Sequence, residues 1–460
     1  MFDFSSFLSN KAFITEDHHV YTYADLLGLS ERFSEHLVPR SLIFIGCENS
    51  LESIVAYVSC LRSGVVPLLL SRDVPDETLY HLEAIYHPRY CWFPSRRDLL
   101  VKGKEKYSLG GYSLIQYDGD SPVLPEGLAL LLTTSGSTGS PKLVRLSHDN
   151  LKSNACSIIE YLKITSSEKA ITSLPMYYSY GLSVLNSHLL AGATLLLTDK
   201  SYVQREFWKF VLEEKATSFA GVPFTYEILK KMRFEKFLPS SVKVMTQAGG
   251  KLNSSLIKYF SEYARLHDIR FYVMYGQTEA TARMSYLPAE YTLNKVGVAI
   301  PGGHFSLIDE DGMRIVSPNV EGELVYEGSN VFWGYAESLD DLFKGDENKG
   351  ILYTGDLAYV DSEGFYYISG RKKRFLKLYG NRISLDFVES IVKDHCQECA
   401  CVGSDDKLIV YVTDLDKIDS IKSVLSNRVL INPSAYEVRF IGKIPRTDSG
   451  KIIYSDLSII

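Results

Sequence analysis

The sequence predicts an α/β protein with a large N-terminal domain of βαβ sheets plus a β-rich subdomain, followed by a small α+β C-terminal domain. Three observations predict it. The 460 residues exceed the size at which a single hydrophobic core stops growing. Short apolar runs at 42–45, 65–70 and 194–197 alternate with amphipathic stretches such as 51–61, the pattern of parallel strands covered by helices. Glycines then punctuate turns at Gly302-Gly303, Asp311-Gly312 and Glu321-Gly322, where shorter strands are expected. An aromatic strand, Phe365 to Ile368, leads into the basic cluster Gly370-Arg371-Lys372-Lys373-Arg374, and the remaining length suits one small domain. The expected boundary divides the chain into 1–370 and 371–460.

Within the large domain the run Leu128 to Leu132 reads as a buried strand, and Ser147-His148-Asp149-Asn150 as the capping region of a helix. Between them lies Thr133-Thr134-Ser135-Gly136-Ser137-Thr138-Gly139-Ser140-Pro141-Lys142, expected on a strand-to-helix connection. Gly136 and Gly139 let backbone amides turn toward an anion, the hydroxyls of Thr134, Ser135, Ser137 and Thr138 add donors, and Lys142 offsets phosphate charge. A polyphosphate is the expected ligand. Walker A chemistry is excluded, because Ser140 and Pro141 separate Gly139 from Lys142. A solvated serine-rich surface loop is the bland alternative.

The net charge of −7 comes without a long basic run, which argues against nucleic acid or an anionic membrane and for a small-molecule substrate. Met1-Phe2-Asp3-Phe4 lacks the basic start of a secretory signal, and no apolar run approaches a membrane-spanning length. A cytoplasmic protein is expected. Seven irregularly spaced cysteines do not form a disulfide framework. The cluster His395, Cys396, Cys399 and Cys401 invites a zinc reading, but no second pair follows at a finger-like spacing, so packed thiols are expected.

Further along come Tyr275-Gly276-Gln277-Thr278-Glu279, Tyr353-Thr354-Gly355-Asp356, Lys377-Leu378-Tyr379-Gly380-Asn381-Arg382-Ile383 and Pro445-Arg446-Thr447-Asp448-Ser449-Gly450-Lys451. In this order, together with the phosphate loop and Gly370-Arg371, they resemble the adenylate-forming (AMP-binding) superfamily: acyl-CoA synthetases, peptide-synthetase adenylation domains and firefly luciferase. The resemblance runs from about residue 20 to the end.

It implies ATP-dependent activation of a carboxylic acid as an acyl-adenylate, with release of pyrophosphate and transfer to a thiol. Joining an anionic carboxylate to an anionic triphosphate is mainly electrostatic and positional work. By resemblance, residues 134–142 hold the β- and γ-phosphates, Thr278 touches the α-phosphate and Glu279 binds Mg²⁺, an ion that suits hard oxygen ligands. Tyr275 and Gly276 lie at the adenine, with the Tyr275 ring as a flat apolar platform. Asp356 and Arg371 reach the ribose, and Lys451 bridges carboxylate and α-phosphate. The small domain is then mobile, with Lys373 at the hinge and Lys377 assisting the thiol step.

The same resemblance puts Leu174 to Gly181 along the acyl pocket, with Tyr178 where histidine often stands and Ser179 and Gly181 on the wall. Val222, Pro223, Phe224, Gly249 and Gly250 border the adenine and acyl sites; their apolar character fits a hydrocarbon tail or ordinary packing equally. No acid follows Tyr178 to pair with an α-ammonium, so the expected acid lacks an α-amino group. Coenzyme A is one acceptor and carrier-protein phosphopantetheine the other. A degenerate nucleotide-binding scaffold is the non-enzymatic alternative, disfavoured because Lys142, Glu279, Asp356, Arg371 and Lys451 are all present.

Overall fold

The computed structural model describes residues 1–95, 103–119, 121–133, 142–289, 297–372, 374–378, 381–404, 407–429, 431–447, 450 and 452–457. Among them, six parallel strands form the centre of one sheet, in the order Arg270–Tyr275, Val244–Gln247, Ser218–Gly221, Lys169–Ile171, Thr194–Leu196 and Lys11–Ile14. Antiparallel strands close both of its edges. A second sheet has Leu128–Thr133, Val66–Ser71, Leu42–Cys47 and Tyr90–Pro94 in parallel at its centre. Leu42–Cys47 is buried along its whole length, as expected for a strand covered on both faces.

One apolar core draws on both sheets, from Phe13 and Ala170 in the first to Ile45 and Leu130 in the second, with Ile54, Leu182 and Leu185 among its members. The helix Leu51–Ser63 departs from the expected amphipathic pattern. From Leu51 to Leu61 only Glu52 escapes burial, because the helix packs within this shared core.

The expected strand-to-helix connection is corrected. Leu128–Thr133 pairs antiparallel with Leu143–Ser147, so the serine-glycine loop joins two strands and the helix His148–Leu162 starts only afterwards. Ser147 caps that helix as expected, its Oγ accepting from the Asn150 amide at 3.0 Å. The extra strand is disguised by Arg145, which interrupts an otherwise apolar segment. Its guanidinium is fully buried and satisfied by Glu347 and by the carbonyls of Trp333, Tyr335, Lys344 and Gly345, which offsets the desolvation of the charge.

The glycine-punctuated region forms an antiparallel sheet, Arg314–Ile315, Gly303–Ile308, Gly322–Gly328, Ile351–Val360 and Tyr366–Arg371. Beyond it, the hairpin Phe375–Leu378/Asn381–Ser384, a three-stranded sheet and the helices Leu385–Val392 and Ile418–Asn427 enclose a separate core around Leu376, Val388, Val410 and Leu425.

Candidate active site

Four segments distant in sequence deliver the expected site residues to neighbouring positions. Gly276 lets the chain turn after the strand Arg270–Tyr275: a Cβ there would sit 1.9 Å from the Ala282 carbonyl oxygen. The following turn holds Thr278 and Glu279. Thr278 Oγ1 lies 3.1 Å from Ser179 Oγ, and Ser179 is the first residue of the helix Ser179–Leu190. The residue expected at the α-phosphate thus touches the residue expected on the acyl wall.

Glu279 Oε1 accepts from the Tyr335 hydroxyl at 2.8 Å, and the Tyr335 ring lies 4.3 Å from Lys142 Nζ, within cation–π range. Lys142 also pairs with Glu337 at 3.0 Å, an exposed contact that a polyanion can displace at little cost. Among the described residues, no lysine or arginine pairs with Glu279. Tyr335 sits on the edge strand Gly334–Ala336, directly opposite Val144. The expected phosphate contacts Thr134, Ser135, Gly136, Ser137, Thr138 and Gly139 lie outside the described residues.

Asp356 and Arg371 face each other across adjacent strands, with Arg371 Nε 3.2 Å from Asp356 Oδ1. The other carboxylate oxygen accepts from the Tyr275 hydroxyl at 2.5 Å and from Gln277 Nε2 at 2.8 Å. Gln277 also donates to the Thr354 carbonyl at 3.0 Å. Burial raises the Asp356 pKa against the opposing pull of Arg371, Tyr275 and Gln277. Tyr275 therefore serves twice, since its ring supplies surface while its hydroxyl anchors the carboxylate.

On the acyl side, Gly249 has φ +85°, and a Cβ there would lie 2.5 Å from the Tyr178 hydroxyl oxygen and 3.2 Å from Val222 Cγ1. Gly250 borders Pro223. At Gly181 a Cβ would meet the Pro175 carbonyl oxygen at 2.2 Å, so glycine allows the segment before the helix to fold back on it. Burial pushes the Tyr178 phenol up to about 12, keeping it a neutral donor.

The small domain reaches this side of the site. Arg446 lies 5.1 Å over the Phe224 ring and donates to the Gly450 carbonyl at 2.9 Å. A Cβ on Gly450 would be 3.2 Å from Val222 Cγ2. Lys451 and Lys373 lie outside the described residues, as does the side chain of Lys377 on the strand Phe375–Leu378.

Sequence reasoning missed Tyr335, the bridging role of Gln277, and Arg283, buried behind the acyl helix. Gln277 sits inside the motif Tyr275 to Glu279, and Arg283 is visible as a charge between Ala282 and Met284. Tyr335 leaves no sequence signal, since its importance depends on pairing with a strand 190 residues earlier.

A two-sheet body, a small domain and a turn joining residues expected at the nucleotide and at the acid form the arrangement expected of an adenylate-forming enzyme. The family described as AMP-binding enzyme matches residues 6–336. A 2-succinylbenzoate–CoA ligase of Bacillus cereus is 32% identical over 426 residues, covering 87% of this chain and 86% of the relative. A feruloyl-CoA synthase of an Amycolatopsis species is 28% identical over 74% of this chain and 72% of its own length. In fold, the chain is similar to the o-succinylbenzoate CoA synthetase of Bacillus subtilis in complex with its acyl-adenylate intermediate (TM-score 0.79, 22% identity, 97% and 95% coverage). It is also similar to ATP-bound MatB from Rhodopseudomonas palustris (TM-score 0.80, 22% identity, the same coverage). The chain belongs to the AMP-binding enzyme family and is an adenylate-forming ligase of the acyl-CoA synthetase type.

Proposed function

We propose that the chain joins a carboxylic acid lacking an α-amino group to AMP and passes the acyl group to coenzyme A. The 3.1 Å contact between Ser179 and Thr278 carries this reading. A carboxylate attacking an α-phosphorus needs its acyl wall and its phosphate contact side by side.

In this reading the N-terminus of the helix Ser179–Leu190 directs its dipole at the reacting anions, and Thr278 donates to the α-phosphate. Lys142 leaves Glu337 for the β- and γ-phosphates, with Thr134 to Gly139 around them. Asp356, aligned by Tyr275 and Gln277, accepts from the ribose while Arg371 closes over it. The ring of Tyr275 with Gly276 borders the adenine. Val222, Gly249 and Gly250 leave room for the carboxylate beside Tyr178, and Gly181 continues that wall.

Glu279 fits a magnesium ligand, since it is a half-buried hard-oxygen donor whose side chain is held only by a neutral phenol among the described residues. When bound, the ion would neutralise triphosphate charge. We assign Lys451 to the adenylation step and Lys377 to the thiol step, with Lys373 as the hinge between domains 1–370 and 371–460. The docking of Gly450 and Arg446 against Val222 and Phe224 supports a pose in which the loop before Lys451 faces the acid. Coenzyme A is preferred over a carrier protein because the curated relatives are named CoA ligases and synthases. The seven free cysteines suit a reducing cytoplasm.

Pyrophosphate release from ATP and Mg²⁺ over a panel of acids, with hydroxylamine trapping, tests this. Acid-dependent release with hydroxamate formation is expected. ATP binding without release for any acid would reduce the protein to a nucleotide-binding scaffold.

A further inference from the structure

Behind the helix Ser179–Leu190, two narrow cavities share Ile171, Val184 and Ala220. One is lined by Gly181 and Met176, nearer the start of that helix. The other is lined by His188 and Arg283. Together they follow one face of the helix Ser179–Leu190, whose first residue touches Thr278.

The inner end is chemically unlike the rest of the wall. Arg283 is 2% exposed. Its Nε donates to Ser183 Oγ at 3.1 Å, and its Nη1 donates to the Tyr161 hydroxyl at 2.9 Å and contacts Met274 Sδ at 3.4 Å. The guanidinium lies 5.1 Å over the Tyr180 ring. Among the described residues, no carboxylate lies in ion-pair range of it. Glu168, the acid on the same cavity lining, is half-buried and bound to the Thr217 hydroxyl. A guanidinium taken out of water without a counter-charge is costly, so buried charges are normally paired.

His188 supplies the second observation. It is 5% exposed, and its Nδ1 bonds the Val184 carbonyl at 2.8 Å. That bond places the ring proton on Nδ1 and leaves Nε2 as an acceptor with no partner among the described residues. Burial, reinforced by Arg283, holds the imidazole neutral with its pKa lowered to about 4. A bound anion would offset that charge and allow His188 to accept a proton.

We propose that Arg283, with His188, reads a second carboxylate at the far end of the acid, so that the substrate is a dicarboxylic acid activated at one end. The inference rests on the adenylating reading of the Ser179–Thr278 end. The helix supplies a ruler: with about 1.5 Å rise per residue, Ser183 lies roughly 6 Å and His188 roughly 13 Å beyond Ser179. An extended chain advances about 1.2 Å per bond, so roughly five to eleven bonds separate the two carboxyl carbons. The two cavities have room of about 20 and 10 Å³, space for about one water each, so side chains must move aside for an occupant and it must be slender.

The test compares octanedioic, 8-hydroxyoctanoic and octanoic acids on the full-length protein, by calorimetric binding with ATP present and by pyrophosphate release. The diacid is expected to bind at least about tenfold more tightly than either monoacid, since a site built for a polar group rejects an analogue lacking it. Arg283→Gln should narrow that ratio about tenfold, chiefly through KM, and Arg283→Lys should restore part of it. Equal or tighter binding of octanoate or the hydroxy acid, or no binding by the diacid, overturns the proposal. If Arg283→Gln does not fold, the wild-type ranking decides. Selective diacid binding without pyrophosphate release would uphold the pocket and sink the adenylating reading; release with a preferred monoacid would do the reverse.

Discussion

Tyr335 joins Glu279 to Lys142, its hydroxyl donating to the Glu279 carboxylate at 2.8 Å while its ring faces the Lys142 ammonium. The phenol holds one carboxylate oxygen in place without contributing charge. Among the described residues no lysine or arginine neutralises Glu279, as the magnesium role proposed for it requires.

Tyr335→Phe removes that donor and leaves the ring. A hydrogen bond to a charged group contributes ~1.5 kcal/mol or more, so the Mg²⁺ dependence of pyrophosphate release should move to concentrations about tenfold higher. The melting temperature should change little. An unchanged Mg²⁺ titration would show that Glu279 does not need this partner.

Gly249→Ala puts a methyl group 2.5 Å from the Tyr178 hydroxyl oxygen at a backbone φ of +85°. Left-handed strain and displacement of the ring should together cost ~1–3 kcal/mol, read as a lower denaturation midpoint. KM for the acid should rise more than KM for ATP. Parallel rises in both would place Tyr178 away from the acid.

His188 is lowered to about 4, first by burial and then by Arg283, with the Val184 carbonyl opposing. The unfolded chain binds this proton below about 6.5 and the folded one only near 4. The associated stability is fully present above pH 6.5 and is lost as pH falls toward 4. The loss should reach ~3 kcal/mol. His188→Gln, compared by urea midpoints at pH 7.5 and 4.5, should flatten this part of the acid limb. An identical acid limb in the variant would mean that His188 is already charged in the folded protein.

Lys451→Ala should nearly abolish adenylate formation while sparing thiol transfer from supplied acyl-adenylate, because Gly450, the residue before it, lies beside Val222. Lys377→Ala should do the opposite. Equal loss in both half-reactions for either variant would defeat this division of labour.

Much of the frame was legible. The burial of Leu128–Thr133, the Ser147 cap and the glycine turns of the antiparallel sheet all follow from local chemistry: apolar runs, a side-chain oxygen before a helix, and residues tolerant of turns. The pairing of Leu128–Thr133 with Leu143–Ser147 was not, because Arg145 looks like a solvent residue until the carbonyls of Trp333 and Tyr335 surround it. Asp356 and Arg371 were both expected near the ribose. Their mutual pairing, and the Tyr275 and Gln277 hydrogen bonds, required the register of two strands and the end of a third.

The sequence by itself determined the class of chemistry, because a polyphosphate, a divalent cation and a ribose would each demand particular residue types in short segments: hydroxyls and glycines with Lys142, the Thr278-Glu279 pair, and Asp356. Only the tertiary structure decided how these segments meet, and what lines the cavities behind the helix Ser179–Leu190. Arg283 and His188 are 95 residues apart (283 − 188) and belong to no common motif. The packing of a helix against a sheet brings them to one cavity lining, where no carboxylate among the described residues pairs with the buried Arg283.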